Sequence, residues 1–449
     1  MTTNMTTTKS RVQASLDLYD RAEELIPGKT QLISRRASSF AHPVSPIYAD
    51  HAKGSRFVDV DGNEYIDWVN AVTAIILGHA DDVVDDAVRD QIGKGSLFTL
   101  NSPLEIELAE LLIDTIPSAE MVRYTKGGGE SCAVAVRIAR GTTGKDKILF
   151  SGYHGWHDWY QSANYLVDPE SGEFPFAGIE PTGVPKALAG TAIPFIYEDI
   201  DNLRQLFEEN KGEVAAVMME PMRSERPKDG YLEAVKDLCH ANDALLIFDE
   251  VSSGWRISLG SAQEWLGITP DMSVFAKAMS NGYPMGCVVG SREAMEPADR
   301  MFISSSYWSD NIGLAASVTT INELKRRNST EFFKEFGDKM AAALQDAVDS
   351  VGISAQVTGI HTAPTLSFDV PDPAMNKPIN TLFIQEMAKR GIFAPASFKA
   401  TMAHTDEDIA ITAEAAADSM RVIMRALEGE LDALLEAEIG REPFRRIVR

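Results

Sequence analysis

The feature that most constrains this chain is a set of short, nearly continuous apolar runs at residues 214–219, 244–248 and 272–276, separated by stretches with helical spacing. Runs this short and apolar throughout are strands buried on both faces. Their alternation with amphipathic helices between about residues 80 and 310 predicts a mostly parallel sheet covered on both sides. In such a sheet ligands bind beyond the C-terminal ends of the strands. Ahead of it, residues 56–60 and 64–68 alternate around Asp61-Gly62-Asn63 and read as an antiparallel hairpin. After about residue 315 come a long helical stretch, a β-like patch at Thr365-Leu366-Ser367-Phe368 and an acidic amphipathic helix from Asp406, together a smaller α+β domain. The expected organisation is an N-terminal arm and small-domain segment at 1–70, a large α/β domain at 71–315 and a C-terminal small domain at 316–449.

Charge excludes some partners. With 42 Lys+Arg against 66 Asp+Glu the 449-residue chain has a net charge of −24, which argues against nucleic acid and anionic membrane. No apolar run approaches the roughly 18 residues of a membrane span. The three scattered cysteines, Cys132, Cys239 and Cys287, fit neither a disulfide framework nor a zinc knuckle and suit a reducing compartment, so a cytoplasmic protein is expected.

The chemistry concentrates at the ends of the apolar runs. Asp249 closes Leu245-Leu246-Ile247-Phe248; a carboxylate there loses hydration and needs a cation or strong donors, unless it caps the next helix. Lys277 follows the next such run, 28 residues on (277 − 249). That separation suits a strand, a crossover and a neighbouring parallel strand, placing both side chains at one sheet edge. A lysine on an apolar strand end is costly unless its amine is neutral or covalently used, as in a Schiff base.

Upstream, Gly127-Gly128-Gly129 leads into a stretch of helical spacing. Glycines at a helix N-terminus leave N–H groups free for a phosphate, although a plain turn has the same composition. No GxxxxGK[ST] or GxGxxG occurs, which removes the common nucleotide loops. Tyr153-His154-Gly155-Trp156-His157-Asp158 is dense in aromatics just past another strand-like run. No second His or Cys cluster completes a metal site with His154, His157 and Asp158, so no metal is expected, and these residues read as a pocket wall, either stacking on a flat cofactor or packing.

Phosphate loop, aromatic, Asp and Lys in this order resemble the class III (ornithine-type) pyridoxal-phosphate aminotransferases of fold type I. Within them the chain is most similar to the glutamate-1-semialdehyde aminomutase branch. The resemblance runs from about residue 20 to 430 and includes Val58-Asp59-Val60-Asp61-Gly62, Arg137-Ile138-Ala139-Arg140, Tyr153-His154-Gly155, Phe248-Asp249-Glu250-Val251, Gly254 with Arg256, and His404-Thr405-Asp406-Glu407-Asp408.

By position the resemblance implies that Lys277 forms the internal aldimine with pyridoxal 5'-phosphate and then moves the proton, while Asp249 pairs with the pyridinium nitrogen. It implies Val251 and Tyr153 on the two ring faces, and Gly128 and Gly129 on the phosphate. Ser306 would reach the phosphate of a neighbouring subunit, hence a homodimer with shared active sites. Glu220 matches an acid near the cofactor and reads equally as a buried structural carboxylate. Arg36 falls near a substrate-carboxylate position, with Arg35 an alternative and a solvated arginine the bland one.

Two departures stand out. Lys126-Gly127 replaces the family's usual residues before the phosphate glycines, and Lys399 in Ser397-Phe398-Lys399 stands where aminomutases carry a glutamate. The expected activity is therefore transfer of an amino group between an amine or amino acid and a keto acid or aldehyde, with intramolecular aminomutase action as the alternative. A silent binding protein on the same fold would have no need of both Asp249 and Lys277.

Overall fold

The computed structural model describes residues 10–166, 181–222 and 224–440. In chain order its strands are β1 (Ala49–Lys53), β2 (Arg56–Asp59), β3 (Glu64–Asp67), β4 (Met121–Thr125), β5 (Lys147–Ser151), β6 (Ala192–Pro194), β7 (Val214–Met219), β8 (Leu245–Asp249), β9 (Met272–Phe275), β10 (Gly286–Gly290), β11 (Ala355–Thr358), β12 (Thr365–Phe368) and β13 (Ile392–Phe393). The chain forms two compact units.

The unit comprising Thr73–Leu77 and Asp81–Lys334 holds a seven-stranded sheet of order β4-β10-β9-β8-β7-β5-β6. From β9 through β6 the neighbours are parallel, whereas β10 runs antiparallel to both β4 and β9. The apolar runs are indeed buried on both faces. Along β5, Ile148 and Phe150 join one core and Leu149 the other; along β7 and β8 the same alternation sends Met218 and Ile247 one way and Val217, Leu246 and Phe248 the other. This is the mostly parallel α/β architecture that the run pattern predicts.

The other unit runs through Val72, takes in Gly78–Ala80 and resumes at Glu335. The expected hairpin is β2–β3, in a sheet of order β1-β2-β3-β13, beside a two-stranded β11–β12 sheet. The expected boundary near residue 315 falls inside the helix Asn311–Arg326, which packs against Asp82–Lys94 and Pro103–Thr115 in the seven-stranded unit. Its apolar face is committed to those helices, so the chain leaves that unit only after Lys334. Among the described residues no helix is long and apolar enough to cross a membrane.

Candidate active site

Asp249 and Lys277 stand at the C-terminal ends of neighbouring parallel strands, as their spacing predicts. β8 and β9 are adjacent and parallel, with Asp249 opposite Val274, and Lys277 lies two residues beyond the end of β9. Lys277 takes a left-handed backbone, φ +49°, a conformation that non-glycine residues adopt at a cost and that clusters at functional sites. Its Nζ donates to Ser252 Oγ at 2.9 Å. Burial pushes the amine below the ordinary lysine range; Asp249 and Glu220 oppose that shift and Arg256 reinforces it.

Asp249 is buried and densely contacted. Its Oδ1 accepts the Val251 N–H at 3.0 Å. Oδ2 lies 2.7 Å from His154 Nδ1 and 3.5 Å from Cys132 Sγ, which donates to it. His154 Nε2 is 3.2 Å from the Ser151 carbonyl oxygen. Both ring nitrogens of His154 thus face oxygen acceptors, Nε2 the carbonyl of Ser151 and Nδ1 the carboxylate of Asp249.

The glycine run opens the helix Gly128–Thr143, and Gly127 offers no side chain to cap it. The first-turn amides therefore have no side-chain acceptor at the cap, as an anion site requires. A Cβ on Gly128 would stand 2.7 Å from Val251 Cγ1, so the missing side chain lets Val251 pack directly against the helix start. Glu130 Oε2 accepts the Lys126 N–H at 2.7 Å, and Lys126 Nζ pairs with Asp310 at 3.0 Å. Glu220 accepts the Tyr153 N–H at 3.2 Å. Arg256, fully enclosed, donates through Nη2 to the carbonyls of Thr73 and Ile75 at 2.9 and 2.7 Å, and burial alone lowers it to about 10.

The candidates divide between the units. Lys277, Asp249, Glu220, Gly128, Gly129, Tyr153 and Val251 belong to the seven-stranded unit, as does Ser306, which is exposed. Arg36, also exposed, and Lys399, whose Nζ donates to Ser397 Oγ at 3.3 Å, belong to the other. Sequence reasoning passed over Cys132, Ser252 and Arg256 as site residues and read His154 as a wall, whereas it binds Asp249. His154 was the findable one, because it follows the C-terminal end of β5 on the same sheet edge.

The class-III aminotransferase family model matches residues 38–427, and the chain belongs to that family. It is a pyridoxal-phosphate-dependent aminotransferase of fold type I. It is 36% identical to the 3-aminobutyryl-CoA aminotransferase of Cloacimonas acidaminovorans over 93% of this chain and 99% of that protein. To the glutamate-1-semialdehyde 2,1-aminomutase of Desulforamulus reducens it is 34% identical over 91% and 98%. Among solved structures, a transaminase with PLP bound aligns with TM-score 0.81 and 25% identity, covering 93% of this chain and 99% of its own.

Proposed function

We propose that Lys277 is the amine that holds pyridoxal phosphate and that Asp249 is the partner of its ring nitrogen, the amino group passing between two separate molecules. The observation that carries this is the placement of both side chains at the C-terminal edge of adjacent parallel strands. The residues fit the group: an uncapped glycine-rich helix start for a phosphate and a buried carboxylate for a ring nitrogen. When bound, the cofactor supplies an aldehyde carbon and an electron-withdrawing ring. Lys277, desolvated and so neutral at lower pH than an exposed lysine, acts first as nucleophile and then as proton carrier to the substrate carbon. Asp249 would hold the ring proton, Val251 and Tyr153 would flank the ring on its two faces, and Glu220 would lie near the cofactor.

Ser306 completes the phosphate site of a second copy, so the enzyme is a homodimer. Its three cysteines are free and buried, in keeping with work in the cytoplasm. We assign the substrate class as amines on the β-carbon of an acyl group, supported by full-length likeness to the 3-aminobutyryl-CoA enzyme.

The test is a donor panel of α-, β- and terminal amines, free and as thioesters, with pyruvate and 2-oxoglutarate. Transfer from β-amino acyl donors supports the assignment; transfer confined to α-amino acids removes it. Likeness to the aminomutase keeps a second reading. Glutamate-1-semialdehyde given to pyridoxamine-loaded enzyme without a keto acid decides it, since rapid formation of 5-aminolevulinate means isomerisation.

A further inference from the structure

Cys132 is a buried side chain for which the reaction above has no use. It sits in the second turn of the helix Gly128–Thr143, four residues after Gly128 and on the same helix face. Its Sγ, the His154 ring and the Asp249 carboxylate bring their polar atoms within 4.8 Å of one another. Asp249 Oδ2 therefore carries two contacts, His154 Nδ1 at 2.7 Å and Cys132 Sγ at 3.5 Å, while Oδ1 takes the Val251 N–H. Burial, with the carboxylates of Asp249 and Glu220 beside it, keeps the thiol protonated. Cys132 thus meets Asp249 as an S–H donor.

We propose that Cys132 is a positioning residue for the ring partner: its weak S–H donor loads Asp249 Oδ2 and sets how firmly the carboxylate holds the proton on the cofactor's ring nitrogen. This rests on Asp249 being that partner. Each donor to a carboxylate lowers its hold on a proton, and by an amount that grows with donor strength. A hydroxyl at this position would load Asp249 more than a thiol does, and a methyl group would not load it at all. The charged and titratable groups facing this cluster are His154, Lys277, Glu220 and Arg256, and the substitutions below leave all four in place.

The experiment reconstitutes the full-length holoenzyme with pyridoxal phosphate carrying ¹⁵N at the ring nitrogen and reads its chemical shift. Cys132→Ser should move the shift toward the unprotonated nitrogen and Cys132→Ala toward the protonated one. Each should change the proton's partition roughly three- to tenfold, the size of one ordinary hydrogen bond. A packing role alone would change the unfolding temperature and move both shifts in one direction or neither, and either result overturns the proposal. If one variant fails to fold, the direction of the other decides. Asp249→Asn tests the underlying reading separately: a ring nitrogen still protonated there removes Asp249 as partner, whatever the cysteine variants show.

Discussion

Gly155 and Gly129 meet backbone to backbone: a Cβ on Gly155 would stand 2.5 Å from the Gly129 Cα. Gly155 also lies at φ +97°. The turn after β5 is thereby pressed onto the start of the helix assigned to the phosphate, and Gly155 cannot take a side chain without moving that helix start.

Gly155→Ala should therefore weaken binding of pyridoxal phosphate to the apoenzyme by at least about tenfold, because both the strain and the collision fall on the phosphate site. Gly144→Ala is the control. It lies at the other end of the same helix at φ +69° with nothing within 4 Å of a Cβ, so it should cost only about 1 kcal/mol of stability and leave affinity unchanged. Absorbance titration measures both, and equal affinity in the Gly155 variant would refute the role given to this contact.

The Lys277 amine yields a pH prediction. Its pKa lies below the ordinary 10.5, and the neutral amine is the reactive form. Condensation of apoenzyme with pyridoxal phosphate should accelerate as pH rises and level off below pH 10.5, since protonation blocks attack only beneath the lowered value. In Lys277→Ala, borohydride should leave no cofactor-linked peptide. A rate still climbing above pH 10.5 in the wild-type protein would count against the desolvated amine.

The parts of this fold that sequence made legible share a cause. The runs in β7, β8 and β9 are apolar on both faces because both faces are covered, so their burial is written in every residue, and the 28-residue gap from Asp249 to Lys277 follows from the parallel crossover. The domain boundary was not legible, because the helix Asn311–Arg326 has the same amphipathic spacing whichever unit it packs on. His154 and Cys132 were missed for another reason. Their contacts with Asp249 join residues 95 and 117 positions apart, across elements whose adjacency only the sheet order supplies. A histidine between two aromatic-rich segments carries the same local pattern whether it lines a pocket or binds a carboxylate.

His404 should make the fold acid-sensitive. It is buried, with Nδ1 accepting the Thr401 N–H at 3.0 Å and its ring 4.3 Å from that of Trp68. Burial lowers its pKa from 6.5 to about 4. As pH falls the unfolded chain takes up this proton first, so the stability contribution is complete above about pH 6.5 and is lost between there and pH 4. The loss is on the order of 3 kcal/mol at about 1.4 kcal/mol per unit. Unfolding temperatures across that window should fall less steeply in His404→Gln than in wild type; parallel slopes would assign the acid sensitivity elsewhere.

Ser306 lies between Phe302 and Tyr307, which are 85% and 68% exposed. Large apolar side chains left open on either side of a short polar stretch mark a surface that another chain covers. If that chain is a second copy and Ser306 reaches its phosphate, two substitutions should separate assembly from the hydroxyl's contribution. Phe302→Asp places a charge in the covered patch and should shift the sedimenting species from dimer toward monomer, with a parallel loss of cofactor affinity. Ser306→Ala should leave the dimer intact and weaken cofactor binding about tenfold, the value of one hydrogen bond to a charged group. The two outcomes are read on the same samples by sedimentation and absorbance titration. A Phe302→Asp monomer that binds pyridoxal phosphate as tightly as the wild type would show that each chain completes its own site and that Ser306 has no part in a neighbour's.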